Sequence, residues 1–524
     1  MIVEHGQESL ADMISNALGT SRVHFVDENQ HLTLADLWDQ GSAIAGLDDG
    51  TIAVLLSNTS ECIACLLGAI QAGSKLISLP VPGRGVDLQW YLSLLEMICQ
   101  SVGARKLLVD RALIPMVPPM ISLDVCAFES VLQMKGSTNT DPESFELVQF
   151  TSGSTSSPKG VHLTQRKIAA NICAILERLE VGPGDGSCSW LPLSHDMGLV
   201  GMTLAPFVAG GKRWTGGTTT VVMRPESFLR APRRWLSACS EYRSTITATP
   251  NFGLEMAIKR GGIGGDLAAI RACIVGGEPI RARTLERFCE RFASNGFGPV
   301  ALCPAYGLAE ATLAISLTSP GKLWKTGVAA LDELYSGANR PNIVSSGPPL
   351  KGYEVKIGSE GNVGEVLVRG PSLLEKYVDG SAALDDVGWF HTGDIGFLSD
   401  GELYVLGRSE DFFLIAGRKV YAVDIESQMD QLTGLRAGRS VAVGVQGEFI
   451  VFAEIERDSA ISNSGLLETV RKTRVEMIRH GLPVPAQLVL VKPGRLPMTS
   501  SGKIQRSAVL EQWQEGQLDV LNEF

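Results

Sequence analysis

Residues 150–161, FTSGSTSSPKGV, follow the apolar-leaning run ELVQF and gather glycines and hydroxyl side chains around one lysine. Such a loop suits a polyphosphate: glycine lets the backbone approach closely, hydroxyls and amides donate to phosphate oxygens, and lysine supplies a point charge. The Walker A pattern needs Ser or Thr directly after its lysine, but Gly160 and Val161 follow Lys159, which argues against an ordinary P-loop kinase. Taken alone, the stretch reads equally well as a flexible surface loop, where Ser, Gly, Thr and Pro also cluster. Six further stretches share its unusual texture: SWLPLSHDMGL from 189, IVGGEPI from 274, AYGLAEATL from 305, WFHTGDIG from 389, LGRSEDFFLIAGRKVY from 406 and LPMTSSGKIQR from 496.

These stretches need a frame to converge. Short apolar runs bounded by Gly, Pro or Ser recur as TIAVLLS at 51, KLISLPV at 75, KLLVD at 106, STITATP at 244 and RACIVGGE at 271. Helical periodicity lies between several of them: Ile168, Ile172, Ile175, Leu176 and Leu179 fall on one face of a helix spanning about 164–180. IRARTLERFCERFASNG reads as an amphipathic helix stopped at Gly296. The alternation predicts α/β layers with largely parallel sheets up to about residue 340. Beyond it, YEVKIG, GEVLVRG and GELYVLGR are separated by short turns, the texture of a β-rich subdomain at about 340–406. The runs KVYAVDIE, RSVAVGV and EFIVFAEIE, a helix at LLETVRKTRVEMIRHG and the strand QLVLVKP predict a small α+β domain over 412–524. The expected organisation is a large N-terminal α/β domain over 1–406, a hinge at 407–411 and that small C-terminal domain.

A chain of 524 residues with 44% hydrophobic and 20% charged residues can bury sizeable cores in more than one domain. The net charge of -11 argues against nonspecific nucleic-acid binding and attraction to anionic membranes. The N-terminal residues lack the basic segment of a secretory signal, and no run reaches the ~18 apolar residues of a membrane span. Ten scattered cysteines suggest reduced, buried thiols and a cytoplasmic protein. Cys62 and Cys65 form one Cys-x-x-Cys inside an apolar helical stretch, where core packing is a better account than metal or redox use.

The seven stretches, in this order, resemble the adenylate-forming superfamily of acyl- and aryl-CoA synthetases, nonribosomal adenylation domains, luciferases and fatty acyl-AMP ligases. GGEPIRARTLERF, TPNFGLEM, YGLAEATLAIS, VSSGPPLKGYEVKI and AGRKVYAVDIE look most like the fatty acyl-AMP ligases and their near relatives. The resemblance implies that ATP activates a hydrophobic carboxylic acid to an acyl-adenylate with release of pyrophosphate, and that a thiol then displaces AMP. Neither step needs an enzyme nucleophile, so positioning and charge stabilisation carry it. The absence of a Gly-x-Ser-x-Gly elbow agrees with that.

By resemblance, Thr151, Ser152, Gly153, Ser154, Thr155 and Lys159 hold the β- and γ-phosphates. Glu310 helps coordinate Mg2+, a hard cation suited to carboxylate oxygen, although a lone glutamate is usually a solvated charge. Tyr306, between Ala305 and Gly307, stacks on adenine, with the Gly276-Gly277-Glu278-Pro279 backbone along the base edge; the plain alternative is a core aromatic. Asp394 and Arg408 contact the ribose; otherwise they are a loop aspartate and a surface ion-pair partner. Lys503, otherwise a solvated tail lysine, bridges the reacting carboxylate and the α-phosphate. His195 divides between lining the carboxylate pocket and plain packing, Asn251 and Phe252 are acyl-pocket candidates, and His195-Asp196 is not by itself a catalytic dyad. Glu410 matches the hinge about which the family's mobile small domain rotates between its two poses.

Fatty acyl-AMP ligases carry an insertion before the Thr-Gly-Asp motif that accompanies poor use of coenzyme A. RGPSLLEKYVDGSAALDDVGWFHTGD has no room for a long one, which favours coenzyme A as acceptor over an acyl carrier protein phosphopantetheine. A noncatalytic nucleotide-binding relative would be expected to lose Lys503, Glu310 or Lys159, and all three are present.

Overall fold

A computed structural model describes residues 8–47, 50–81, 88–117, 123–134, 141–151, 159–260, 262, 265–327, 343–358, 362–415, 418–429, 432, 434–445, 448–456, 463–479, 483–498 and 504–524. Two large sheets dominate. The six-stranded sheet runs in the order Asp124–Ala127, Lys106–Val109, Thr51–Leu56, Lys75–Pro80, Glu146–Thr151, Lys159–Thr164. Its strands are parallel except for the last, which folds back antiparallel and pairs Thr151 with Lys159. The eight-stranded sheet has parallel strands from Leu302–Gly307 across to Arg22–Phe25, with the antiparallel strands Ala314–Leu317 and Gln30–Thr33 at its edges.

Strands buried on both faces lose polar alternation, which is why TIAVLL and ACIV stood out as continuous apolar runs. One core joins the two sheets through the helices Ser60–Ala72 and Gln165–Arg178 and a π-helical segment, Met197–Leu204. The outer face of the eight-stranded sheet packs Trp235, Phe288 and Phe292 in a second core. Helix Ala282–Phe292 ends through a 3-10 turn at Gly296, whose φ of 83° supplies the left-handed stop. Cys62 and Cys65 lie in helix Ser60–Ala72 within the joining core, and burial pushes the Cys62 thiol up to about 12.

Strands Glu354–Gly358, Gly364–Arg369, Phe390–Ser399 and Glu402–Arg408 form an antiparallel sheet. From it the chain passes through a short turn, Ser409–Asp411, into the hairpin Phe412–Ile415/Arg418–Tyr421. The run KVYAVDIE splits: its strand stops at Tyr421, and Ala422–Met429 is a helix with Ala422, Ile425 and Met429 buried on one face. That spacing is helical, whereas the sequence presented the run only as one apolar stretch. The last sheet, in the order Leu435–Val445, Glu448–Ile455, Gln487–Val491, Val520–Glu523, packs helices Ala422–Met429 and Asn463–Arg479 on one face and Arg506–Gln514 on the other. Among the described residues no helix is long and apolar enough to cross a membrane, and no group of three or more His, Cys, Asp or Glu is placed to hold a metal ion.

Candidate active site

Parallel strands expose their carboxyl ends together, so the residues that follow Ile246–Thr249, Ala272–Val275 and Leu302–Gly307 share one rim. Asn251 and Phe252, Gly276 to Pro279, and Ala305 to Gly307 therefore border a single cleft, whose volume is about 2400 Å³. His195, Glu310, Lys159, Asp394 and Arg408 line the same cleft. Ser152, Gly153, Ser154, Thr155 and Lys503 lie outside the described residues, and only the backbone is described at Thr151 and Glu410.

Two glycines on this rim answer to close packing. A Cβ on Gly307 would stand 1.7 Å from the Leu313 carbonyl oxygen, where the strand bulges against Ala314–Leu317. Gly277 adopts a φ of 78°, turning the chain after strand Ala272–Val275. Beside it, Glu278 Oε1 accepts the Phe252 backbone N–H at 2.5 Å, joining the two rim segments.

Tyr306 donates its hydroxyl to Asp394 Oδ2 at 2.5 Å, and Arg408 Nε stands 3.2 Å from Asp394 Oδ1. Burial first, then the Asp394 charge, pushes the Tyr306 phenol well up, so it remains a donor. Asp394 is only 9% exposed. Its turn is held by Thr392, whose Oγ1 accepts the Asp394 N–H and whose carbonyl accepts Arg408 Nη1. A carboxylate only accepts, which is the chemistry that hydroxyls of a ligand would need.

Glu310 sits in the turn Ala309–Ala311, and its carbonyl accepts the Leu374 N–H. Tyr377 Oη donates to Glu310 Oε1 at 3.3 Å. Burial raises the Glu310 pKa, and the Asp196 charge adds to it, while Arg408 and Tyr377 act the other way. Tyr377 was not singled out by the sequence, yet it links two expected elements. Lys159 Nζ lies 5.1 Å from its ring centroid, and Val378 donates its N–H to the Gly160 carbonyl at 2.9 Å. The hairpin Glu146–Thr151/Lys159–Thr164 is thereby tied to the glutamate; EKYVDG lacks any motif that would have signalled this.

His195 Nδ1 is 2.5 Å from Asp196 Oδ1, which also accepts the Met197 N–H that opens the π-helical segment. Asn251 spends its carboxamide on the frame: Oδ1 accepts the Arg281 N–H and Nδ2 faces Thr284 Oγ1 at 3.5 Å. Phe252 meets Trp190 edge-on at 5.9 Å between centroids. From the C-terminal sheet, Arg436 and Arg439 line the far wall of the cleft, together with Arg506, which pairs with Asp411 and Glu426. Sequence inspection passed over Arg436 and Arg439, which no motif contains, and gave no role to Arg506, although it ends the stretch LPMTSSGKIQR.

A family described as AMP-binding enzyme matches residues 16–378. The long-chain-fatty-acid–AMP ligase FadD26 of Mycobacterium bovis is 31% identical over 529 residues, covering 90% of this chain and 88% of its own. A putative fatty-acid–CoA ligase, fadD21, of the same organism is 32% identical over 515 residues, covering 88% and 87%. A solved structure from work on fatty acyl-adenylate ligases from E. coli and L. pneumophila matches with a TM-score of 0.85 at 26% identity, covering 97% of this chain and 98% of that one. The L. pneumophila fatty acyl-adenylate ligase in complex with acyl adenylate and pyrophosphate matches with a TM-score of 0.69 at 26% identity, covering 98% and 97%.

Proposed function

The chain belongs to the AMP-binding enzyme family, and from that premise we propose that it activates a hydrophobic carboxylic acid with ATP and passes the acyl group to the thiol of coenzyme A. It is an acyl-adenylate-forming, AMP-forming ligase close to the fatty acyl-AMP ligases. The observation that carries the finer reading is convergence: every expected nucleotide residue whose side chain is described lines the same cleft as His195, Asn251 and Phe252.

In the first step a carboxylate oxygen bonds to the α-phosphorus as the bond to the bridging oxygen breaks and pyrophosphate leaves. In the second a thiolate sulfur bonds to the acyl carbon and AMP leaves with the electron pair of the acyl–oxygen bond. Asp394, fixed by Tyr306 and Arg408, accepts the ribose hydroxyls. The base lies along Gly276 to Pro279 and against Tyr306, Ala305 and Gly307, and the loop with Lys159 holds the leaving phosphates. Lys503 supplies positive charge where the carboxylate meets the α-phosphate. Glu310 fits Mg2+: it is a half-buried carboxylate whose ionised form is disfavoured by its surroundings, which a hard cation would reverse. When bound, the cation supplies charge neutralisation at phosphate oxygens; His195 borders the acid.

Coenzyme A is favoured by the short connection 370–389 between strands Gly364–Arg369 and Phe390–Ser399. A carrier-protein phosphopantetheine is the second reading, favoured by the likeness to FadD26. In either, the small domain over 412–524 pivots at Glu410 within 407–411. The test is mass spectrometry of products from ATP, Mg2+ and a panel of carboxylic acids with coenzyme A present. Acyl-CoA plus AMP supports the first reading. Acyl-adenylate without thioester moves the acceptor to a carrier protein, and ADP as product refutes both.

A further inference from the structure

Asp394 owes its aim to an irregularity in a β-ladder. Glu365 pairs with Ile395 and Leu367 with His391, so Val366 alone faces Thr392, Gly393 and Asp394. A bulge of this kind re-aims a side chain but takes the extra residues out of the ladder, and their backbone groups need other partners. Side chains supply them. Thr392 Oγ1 donates to the Val366 carbonyl at 2.7 Å and accepts the Asp394 N–H at 3.0 Å. Glu365 Oε1 accepts the Gly393 N–H, also at 3.0 Å, where Gly393 holds a φ of 71°.

The other Glu365 oxygen faces a titratable ring. Its Oε2 stands 3.0 Å from His391 Nδ1, and on the far side of the ring Asp385 Oδ2 stands 3.5 Å from Nε2. Asp385 belongs to the connection 370–389, where its Oδ1 accepts the N–H groups of Val387 and Trp389. The cations on this face, Lys356 and Arg369, are drawn over the Trp389 ring, 4.1 and 4.5 Å from its centroid. Across the bulge, Arg408 turns to Thr392 and Asp394. His391 therefore meets two carboxylates. Glu365 first, with Asp385 adding to it, raises the His391 pKa above the ordinary 6.5 and outweighs burial. An imidazolium donates from both nitrogens, whereas a neutral ring donates from one and turns a lone pair on the other carboxylate.

Resting on the nucleotide reading proposed above, we infer that Glu365 is a positioning residue that locks the bulge with Asp394 facing the ribose, and that protonated His391 tightens the lock by bridging Glu365 to Asp385. The connection 370–389 also carries Tyr377 and Val378, which bond to Glu310 and to the Gly160 carbonyl. The protonated ring thus ties the ribose turn to the wall of the cleft that bears those contacts. Loss of the His391 proton breaks the contact to one carboxylate or the other, and ribose recognition weakens as pH rises.

The test is the ratio of kcat/KM for ATP over dideoxy-ATP, which lacks both ribose hydroxyls, in acid-dependent pyrophosphate release from about pH 5.5 to 9. The two nucleotides ionise alike at their phosphates, so the ratio isolates the hydroxyls. The wild-type ratio is expected to fall about two- to fivefold as pH rises through a midpoint above 6.5, the effect of a half-exposed charge pair. Glu365→Gln keeps an oxygen for the Gly393 N–H but removes the charge, so its midpoint should move to lower pH. His391→Ala should give a flat profile at the high-pH level of wild type. Glu365→Ala should lower the ratio about tenfold at every pH, because the Gly393 N–H loses a charged acceptor. A folded Glu365→Ala within about twofold of wild type overturns the lock, and a wild-type ratio independent of pH overturns the part given to His391. If Glu365→Ala does not fold, the other two variants decide: a wild-type profile in both overturns the proposal. A wild-type protein indifferent to the missing hydroxyls would instead refute the ribose reading of Asp394, and one that releases no pyrophosphate with any acid would refute the function, so the failures are distinct.

Discussion

Replacing Tyr306 with phenylalanine removes one oxygen and leaves the ring. That hydroxyl makes a 2.5 Å bond to the nearly buried carboxylate of Asp394. Hydrogen bonds to charged groups contribute about 1.5–3 kcal/mol, which brackets a loss of roughly 10- to 150-fold in kcat/KM for ATP. The lower end is expected, because Arg408 still holds the other oxygen at 3.2 Å. Arg408 is a weaker anchor by itself, with 53% of its side chain exposed and its charge screened by solvent. The prediction is therefore about tenfold for Tyr306→Phe, less for Arg408→Ala, and more than their product for the double variant, as expected of neighbours sharing one partner. The assay is ATP–pyrophosphate exchange with ATP varied at saturating acid, then acid varied at saturating ATP. The defect should fall on the KM for ATP and spare that for acid. It should also be independent of pH between about 6 and 9, because the raised phenol pKa keeps the hydroxyl protonated throughout. A change of less than about twofold, or an equal rise in both KM values, would refute the claim that Tyr306 orients a ribose-binding carboxylate.

Glu310 gives a pH prediction. Its folded pKa is raised above the ordinary 4.5, so between the unfolded and folded values the native state holds more protons and stability falls as pH rises. Thermal melts of metal-free Glu310→Gln should lie above wild type near neutrality and converge with it below about pH 4, and Mg2+ should raise only the wild-type melt; parallel melts at every pH would count against this. Lys503→Ala should abolish adenylation from free acid and ATP yet preserve thiolation of supplied acyl-adenylate, a prediction motivated by its Thr-Ser-Ser-Gly-Lys setting; near-normal adenylation would reject the assignment. Glu410→Pro, within the turn Ser409–Asp411, should suppress thioester formation while sparing adenylate formation, and equal loss in both half-reactions would rule out a hinge there.

Much of this protein is legible in one dimension. Strands buried on both faces need apolar side chains at every position, so TIAVLL, KLISLP and ACIV announced the parallel sheets. The resemblance rested on glycines and small polar residues at fixed spacing, and GGEPI, AYGLAE and HTGD all border the one cleft. The strands Arg22–Phe25 and Gln30–Thr33 went unread, because RVHF and QHLT are short and partly exposed; the first becomes a strand by pairing with Thr219–Val222, nearly two hundred residues away, and the second by pairing with the first.

What the tertiary structure decided is which of these residues meet. Tyr306 and Asp394 are 88 positions apart, and only the approach of two sheets puts the phenol on the carboxylate. Tyr377 has no motif, yet it pairs with Val161 of the hairpin Glu146–Thr151/Lys159–Thr164 and donates its hydroxyl to Glu310. Local sequence fixes backbone conformation through steric and hydrogen-bonding preferences that act over a few residues. Side-chain encounters across tens or hundreds of residues depend on how whole layers pack, and that is a property of the assembled core alone.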